Sequence, residues 1–156
     1  MNNKFLSKEE LLNILDKNKR IALINGCFDL THAGHATLLK YIKDNNIADI
    51  TIVALNSDDS IRQIKGENRP IIKLNHRAIV LCAFEFVDYV TWFDEPTATN
   101  IIKYIRPHII VKGINSIIPQ SEIDLYNELN IKIEFVTLLD DLSTTNIIND
   151  ILNKYC

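Results

Sequence analysis

The sequence predicts an α/β fold: a single Rossmann-like domain with about five parallel strands and helices on both faces of the sheet. Short runs rich in Ile and Val alternate with longer segments of helical spacing along the 156 residues. No internal repeat and no linker rich in Pro, Gly or Ser divides the chain. Strands that read as continuous apolar runs, joined by helices, are typical of a parallel sheet buried on both faces.

The elements follow one another in a regular order. Residues 1–19 hold a short amphipathic helix, where Ser7 and Glu10 have the spacing of a capping box. The core domain, residues 20–156, has apolar runs that predict strands at 20–25, 50–55, 87–92, 108–111 and 131–136. Helical spacing or helix-start residues predict helices at 34–45, 58–64, 74–84, 97–105 and 121–129, with a last one from about 143 to 151.

Composition excludes several classes of protein. Hydrophobic residues make up 47% and charged residues 24%, and the formal net charge is -3. No overall basic field therefore draws the chain to nucleic acid or to an anionic membrane, and no apolar run is long enough to cross a bilayer. The three cysteines, Cys27, Cys82 and Cys156, have no CxxC spacing, which favours a reducing cytoplasm over a disulfide framework.

The first strand-to-helix turn, GCFDLTHAGH, has the residues that a phosphate site needs. Gly26 lets the backbone pass close to a ligand, and Gly34 opens the helix without a side chain. The helix N-terminus offers unpaired amides and a partial positive charge. His32 and His35 are three residues apart, so both imidazoles can point at one phosphate.

A bare HxxH is more often incidental or a helix cap, because short motifs have many false positives. Here the motif follows an apolar strand, has a glycine on each side and encloses Asp29. Zinc is a poor alternative, since no further His or Cys pair lies at ligand spacing. The context favours phosphate binding.

The turn resembles the signature GxFDxxHxGH of the HxGH nucleotidyltransferase superfamily. That family includes cytidylyltransferases for glycerol phosphate and phosphocholine, and adenylyltransferases for heptose 1-phosphate. The stretch NGCFDLTHAGH is most similar to the heptose 1-phosphate adenylyltransferase domain. The resemblance implies that His32 and His35 stabilise the transferring α-phosphate, and that the phosphate pocket is lined by Gly26, Cys27, Phe28 and Gly34.

The resemblance extends from about residue 20 to residue 152 and implies further ligands of the nucleotide. Lys65, in the loop KGENRPIIK, would approach the phosphates, although most loop lysines are simply solvated. Arg69 and Arg77 would hold outer phosphates through two parallel hydrogen bonds. An exposed Arg77 paired with an acid is an equal alternative. The remaining nucleotide or phosphate ligands implied are Lys43, Lys112, Gly113, Ser143 and Thr144, where Ser143 or Thr144 would also cap the last helix.

The implied chemistry is an in-line displacement. A sugar phosphate attacks the α-phosphorus of ATP or another nucleoside triphosphate, and pyrophosphate leaves with Mg²⁺ that is bound mainly through the triphosphate. Asp29 and Asn56, at the ends of neighbouring strands, are the candidates for binding the acceptor sugar. No metal ligand is expected from protein side chains.

The chain departs from the heptose relatives in one segment. They follow VKG with a glycine-aspartate-tyrosine run, whereas this chain has VKGINSIIPQ, so the sugar and the base stay open. The pattern FEFVDYV lies where relatives form a dimer contact, which makes a homodimer an expectation. Some relatives carry a sugar kinase ahead of this domain, and here we expect any kinase to be a separate protein.

Three other functions remain to be weighed. A cytidylyltransferase for glycerol 3-phosphate or another polyol phosphate is the alternative within the enzymes. A nucleotide-binding module without turnover would retain the turn but lack a catalytic cation. A nicotinamide-dependent oxidoreductase would require GxGxxG after the first strand, and GCFDLTHAGH does not provide it.

Overall fold

Five strands form the centre of the computed structural model, which describes residues 4–137 and 143–155. They are β1 (Ile21–Gly26), β2 (Ile50–Asn56), β3 (Tyr89–Phe93), β4 (Ile109–Gly113) and β5 (Lys132–Val136). All pair in parallel, in the order β3-β2-β1-β4-β5. The predicted fold class is confirmed, and each strand overlaps its predicted range.

Seven helices are present in the described parts of the chain: α1 (Lys8–Ile14), α2 (Ala33–Asp44), α3 (Asp58–Lys65), α4 (Leu74–Cys82), α5 (Thr99–Ile105), α6 (Gln120–Glu128) and α7 (Thr144–Tyr155). The capping box of α1 is confirmed, because Ser7 Oγ accepts the Glu10 N–H and the Glu10 carboxylate accepts the Ser7 N–H. The last helix continues to Tyr155, beyond its predicted end.

Helices cover both faces of the sheet because side chains alternate along each strand. In β1, Ile21 and Leu23 are fully buried in one apolar cluster that includes residues of α1, α5 and α6. Ala22 and Ile24 are buried in the other cluster, with residues of α2 and α4. The two layers leave the ends of the strands as the surfaces at which polar groups can gather.

The two edges of the sheet are protected differently. Residues 4–6 run beside β3, where Val90 N–H donates to Lys4 C=O and Val90 C=O accepts from Leu6 N–H. Phe5 also packs its ring against Trp92, with centroids 5.1 Å apart. At the other edge β5 is less covered, and Phe135 is 47% exposed.

Two of the three cysteines can be described. Cys27 and Cys82 are free thiols, and Cys156 lies outside the described residues. Within residues 4–137 and 143–155, no helix combines the length and the apolarity needed to cross a membrane.

Candidate active site

The site lies where the strand order reverses. β1 and β4 are neighbours, and the helices that follow them, α2 and α6, pack in opposite layers. A crevice therefore opens beyond the carboxyl ends of these strands, which is the usual ligand position in open α/β sheets. It contains a hollow of about 170 Å³, lined by both strand ends and by Phe28, His35 and Ser116.

The two histidines of the turn are in direct contact. His32 precedes α2, and its backbone N–H donates to His35 Nδ1 at 3.3 Å. The imidazole centroids are 3.9 Å apart, and the Phe28 ring lies 4.7 Å from that of His35. Because Nδ1 of His35 accepts a hydrogen bond, the proton of the neutral ring is on Nε2, where it can be donated to a ligand. Nδ1 of His32 is buried and has no hydrogen-bond partner among the described residues.

Both imidazoles are held neutral near pH 7. Burial, and secondarily the charge of His32, lowers the pKa of His35 to about 4. Burial also lowers the pKa of His32. The pair therefore offers neutral hydrogen-bond donors, and an anionic phosphate beside them would raise both pKa values by favouring the charged forms.

The backbone of the turn is shaped by two residues. Phe28 has φ 48, a left-handed conformation that carries its ring under His35. A Cβ atom at Gly26 would lie 3.4 Å from that ring, at van der Waals distance. The Phe28 ring therefore lies against both the end of β1 and His35.

Asp29 has a different role from the one expected. Its carboxylate is fully buried and accepts from Arg69 Nε at 2.6 Å, Ile71 N–H at 2.9 Å and Ile72 N–H at 2.8 Å. The carboxylate thus fastens the loop after α3 to the turn, and in this structure it is not presented to an acceptor. In this structure Asp29 is a loop anchor, and its binding of the acceptor stays a prediction.

Arg77 is neither an exposed residue nor an open phosphate ligand. Its side chain is fully buried, and Nη1 donates to the carbonyls of Cys27 at 2.6 Å and Asn56 at 2.9 Å. Nε donates to the Ile72 carbonyl and Nη2 to Asp58 Oδ1. Four of its five N–H donors are used, so Arg77 clamps the ends of β1 and β2 to the loop.

The partly exposed Asp58 and the buried Asn56 complete this set of contacts. Asp58 was not identified from the sequence; its Oδ1 accepts from the N–H of Leu74 at 2.9 Å as well as from Arg77. Asn56 is 5% exposed, and its Nδ2 donates to Ser60 Oγ at 2.9 Å. The amide of Asn56 is therefore oriented by α3, at the point where the acceptor was expected.

Cations converge electrostatically on the Cys27 thiol. Burial raises its pKa, and the charges of Lys65, Arg77 and Arg69 oppose that rise. Lys65 is exposed at the end of α3, so its ammonium is accessible to a ligand. The phosphate role of Lys65 stays a prediction.

Lys112 lies at the end of β4 beside Gly113, on the wall of the hollow. Its Nζ donates to Asn25 Oδ1 at 2.8 Å and lies 3.5 Å from Glu122 Oε2. Burial lowers the pKa of Lys112, and the Glu122 charge opposes this change. Glu122 also accepts from Tyr126 O–H and Ala98 N–H. It was not identified from the sequence, where an acid on the apolar side of α6 is the signal that could have indicated a buried carboxylate.

Two further predicted ligands, Gly34 and Lys43, lie at opposite ends of α2. Gly34 is buried in the first turn of α2, beside the two histidines. Lys43 is exposed in the last turn of α2, eight residues after His35, or about 12 Å along the helix axis. The structure does not bring Lys43 to the turn, because it lies at the opposite end of the helix.

The start of α7 behaves as a helix cap. Ser143 Oγ accepts the Asn146 N–H at 3.1 Å, and Thr144 is the first helical residue. No residue of α7 whose burial is described is buried, so α7 is the least packed helix. The cap is confirmed, and phosphate binding by Ser143 and Thr144 stays a prediction.

The segment that follows Gly113 carries exposed apolar side chains. Ile114 is 55% exposed and Ile117 is 96% exposed, whereas Ser116 lines the hollow. Ser116 therefore brings this segment to the wall of the hollow.

Comparison with known proteins agrees with this geometry. The model of the family described as cytidylyltransferase-like matches residues 23–150. The bifunctional protein HldE of Geobacter sulfurreducens is 41% identical over 143 residues, covering 89% of this chain and 28% of the relative. HldE of Campylobacter jejuni subsp. doylei is 41% identical over 153 residues, covering 97% of this chain and 32% of the relative. The chain thus spans less than a third of the length of these curated relatives.

Solved structures share the fold. A lipopolysaccharide core biosynthesis protein from Thermoplasma volcanium superposes with a TM-score of 0.62 at 24% identity, covering 78% of this chain and 97% of that one. Pantothenate synthetase from Thermus thermophilus superposes with a TM-score of 0.65 at 14% identity, covering 92% and 67%. At these identities the likeness concerns the fold alone. The family match and the HldE relatives confirm the resemblance seen in the turn: the chain belongs to the cytidylyltransferase-like family.

Proposed function

We propose that the chain transfers the adenylyl group of ATP to a sugar 1-phosphate, with a heptose phosphate as the preferred acceptor, giving a nucleotide-activated sugar and pyrophosphate. The observation that carries this proposal is the histidine pair in the β1–β4 crevice, with His35 fixed as an Nε2–H donor. The choice of ATP and heptose is supported by the 41% identity to HldE proteins and by the NGCFDLTHAGH resemblance.

In the proposed reaction an oxygen of the acceptor phosphate attacks the α-phosphorus in line. The bond from the α-phosphorus to the bridging oxygen breaks, and pyrophosphate leaves with that oxygen. A phosphate monoester needs no protein base near neutral pH, so positioning and charge stabilisation supply the rate. His32 and His35 donate to the α-phosphate, and Lys65 and the remaining N–H groups of Arg69 meet the charge on the leaving group.

Mg²⁺ fits this site as an ion bound through the triphosphate oxygens. Among residues 4–137 and 143–155, no three His, Cys, Asp or Glu side chains are grouped so as to hold a metal. Asp29, the acid nearest in sequence to the histidines, already accepts three hydrogen bonds. When bound, the ion would neutralise part of the charge on the pyrophosphate.

We propose that the base and the sugar bind at the wall formed by β4 and the segment after it. Lys112 and Ser116 line the hollow, and we expect Ile114 and Ile117 to cover whichever group enters there. Because VKGINSIIPQ differs from the heptose relatives, this wall is where the acceptor preference would differ as well.

The experiment is a matrix of activities. Pyrophosphate release is measured for ATP, CTP, GTP and UTP, each against heptose 1-phosphate, glycerol 3-phosphate and phosphocholine. The proposal expects the highest turnover for ATP with heptose 1-phosphate. Turnover with CTP and glycerol 3-phosphate alone would replace it with a polyol-phosphate cytidylyltransferase, and triphosphate binding without pyrophosphate release would indicate a binding module.

A homodimer is proposed through the surface around the FEFVDYV pattern. Phe84 and Phe86 stack there with centroids 5.2 Å apart, and Ile79 and Val80 of α4 are 67% and 46% exposed. Light scattering of the purified chain tests it, and an Ile79→Glu variant should shift a dimer toward monomer.

A further inference from the structure

A second hollow lies at the opposite edge of the sheet, where β1, β4 and β5 begin. It measures about 490 Å³, and four basic side chains line it: Arg20, Arg106, His108 and Lys132. We call it the amino-edge hollow. Its volume falls in the range of small-molecule sites, and no acid among the described residues lines it.

Several donors in the amino-edge hollow are unused. The Arg106 guanidinium and the Lys132 ammonium form no hydrogen bond or ion pair with any residue in the described ranges. Arg20 differs, since it is held by Asp49 through contacts of 3.4 and 3.3 Å. His108 Nδ1 accepts the Ile21 N–H at 3.1 Å, which leaves the proton of the neutral ring on Nε2 as a donor.

The amino-edge hollow has more basic residues than are needed to neutralise the helix C-termini beside it. Helix C-termini lie at this edge, and their partial negative charge attracts cations. Lys17 satisfies the end of α5 by donating to the Ile105 carbonyl at 2.7 Å. Burial lowers the pKa of Lys17, and the charge of Arg106 lowers it further. An anion bound beside Arg106 would therefore relieve its repulsion of Lys17.

We propose that the amino-edge hollow binds a small phosphorylated anion. A phosphate group matches a guanidinium, an ammonium and an imidazole N–H, and the apolar wall of Pro107 and Leu129 suits the remainder of such a molecule. The net charge of -3 disfavours a long polyanion. The site is separate from the histidine pair, because β1 places about 20 Å between the two edges.

The experiment follows backbone amide signals by NMR at constant ionic strength. Inorganic phosphate and adenosine monophosphate are titrated in separate arms. Saturating shifts are expected at Arg106, His108 and Lys132, and they should persist in a His35→Ala variant. The double variant Arg106→Glu, Lys132→Glu should bind at least about tenfold more weakly, whereas the single charge reversal Lys154→Glu, at an exposed position of α7, should not.

Each outcome bears on the proposal. Tighter binding of adenosine monophosphate identifies a nucleotide-like ligand, and equal binding of both probes identifies free phosphate as the recognised group. Shifts that do not saturate, or that sodium chloride reproduces, overturn the proposal. A response to single-stranded DNA but not to phosphate also overturns it. If the double variant does not fold, Lys132→Gln alone must weaken binding.

Discussion

The histidines of the turn and the arginine beneath them differ in what they can still offer a substrate. His35 retains its Nε2–H, and His32 Nδ1 has no partner among the described residues. Arg77 instead spends four donors on three carbonyls and a carboxylate. A polar group with unfilled hydrogen-bonding capacity is available to a ligand, whereas one with filled capacity holds the backbone. Substitution of the histidines should therefore lower turnover, whereas substitution of Arg77 should lower the stability of the fold.

The largest effect is expected for Arg77→Met, which removes the buried arginine beneath the turn. The carbonyls of Cys27, Asn56 and Ile72 would lose this donor, and Asp58 would keep only the Leu74 N–H. The free energy of unfolding should therefore fall by about 3–5 kcal/mol. Urea unfolding measures the change. The control is Arg62→Met, which removes a partly exposed ion pair and should cost less than about 1 kcal/mol. Equal losses in the two variants would refute the clamp.

In the histidine pair, His35→Ala should reduce turnover and leave the fold intact. Loss of one donor to the transition state typically lowers kcat by about 10²–10³, equivalent to about 3–4 kcal/mol. Pyrophosphate release and thermal unfolding give the two readouts. His76→Ala is the matched control, because His76 is exposed on α4. Near-normal turnover in a folded His35→Ala protein would remove this residue from the mechanism.

The loop anchor should show a smaller, local effect. Asp29→Asn removes one charged acceptor, and we expect a loss of about 1–3 kcal/mol in stability. Hydrogen exchange should accelerate at the amides of Ile71 and Ile72, which now donate to Asp29. Asp59→Asn, at an exposed position of α3, serves for comparison. Unchanged protection of those two amides would mean that the loop is held by other contacts.

The last effect concerns pH and is small within any one pH unit. His35 has a pKa of about 4 in the folded chain and an ordinary value near 6.5 when unfolded, so between these values the unfolded state binds the additional proton. Stability should fall as pH falls from 6.5 to 4, by at most about 1.4 kcal/mol per pH unit from this group. His35→Gln should flatten that slope in pH-dependent unfolding. An identical slope in the variant would show that other groups cause it.

The fold could be predicted because its signals are local. Ile and Val runs specify strands, and the capping residues Ser7 and Ser143 mark helix starts within a few positions of the sequence. The histidine pair was likewise found from a spacing of three residues, which the start of α2 converts into ring contact.

The supporting layer could not be predicted because its partners are distant in sequence. Asp29 meets Ile72 and Arg77 meets Cys27 only after β1, β2 and α4 have packed together. The sequence of a motif does not distinguish a carboxylate or guanidinium that binds a ligand from one that binds the protein backbone. Lys43 shows the converse error, since a match on a helix does not say which end faces the site.

The pairing of residues 4–6 with β3 has a consequence for solubility. Val90 would otherwise present an unpaired N–H and C=O along an edge strand, which is a template for addition of a strand from another molecule. Residues 4–6 thus cover that edge, and a variant that lacks their backbone pairing should self-associate through β3.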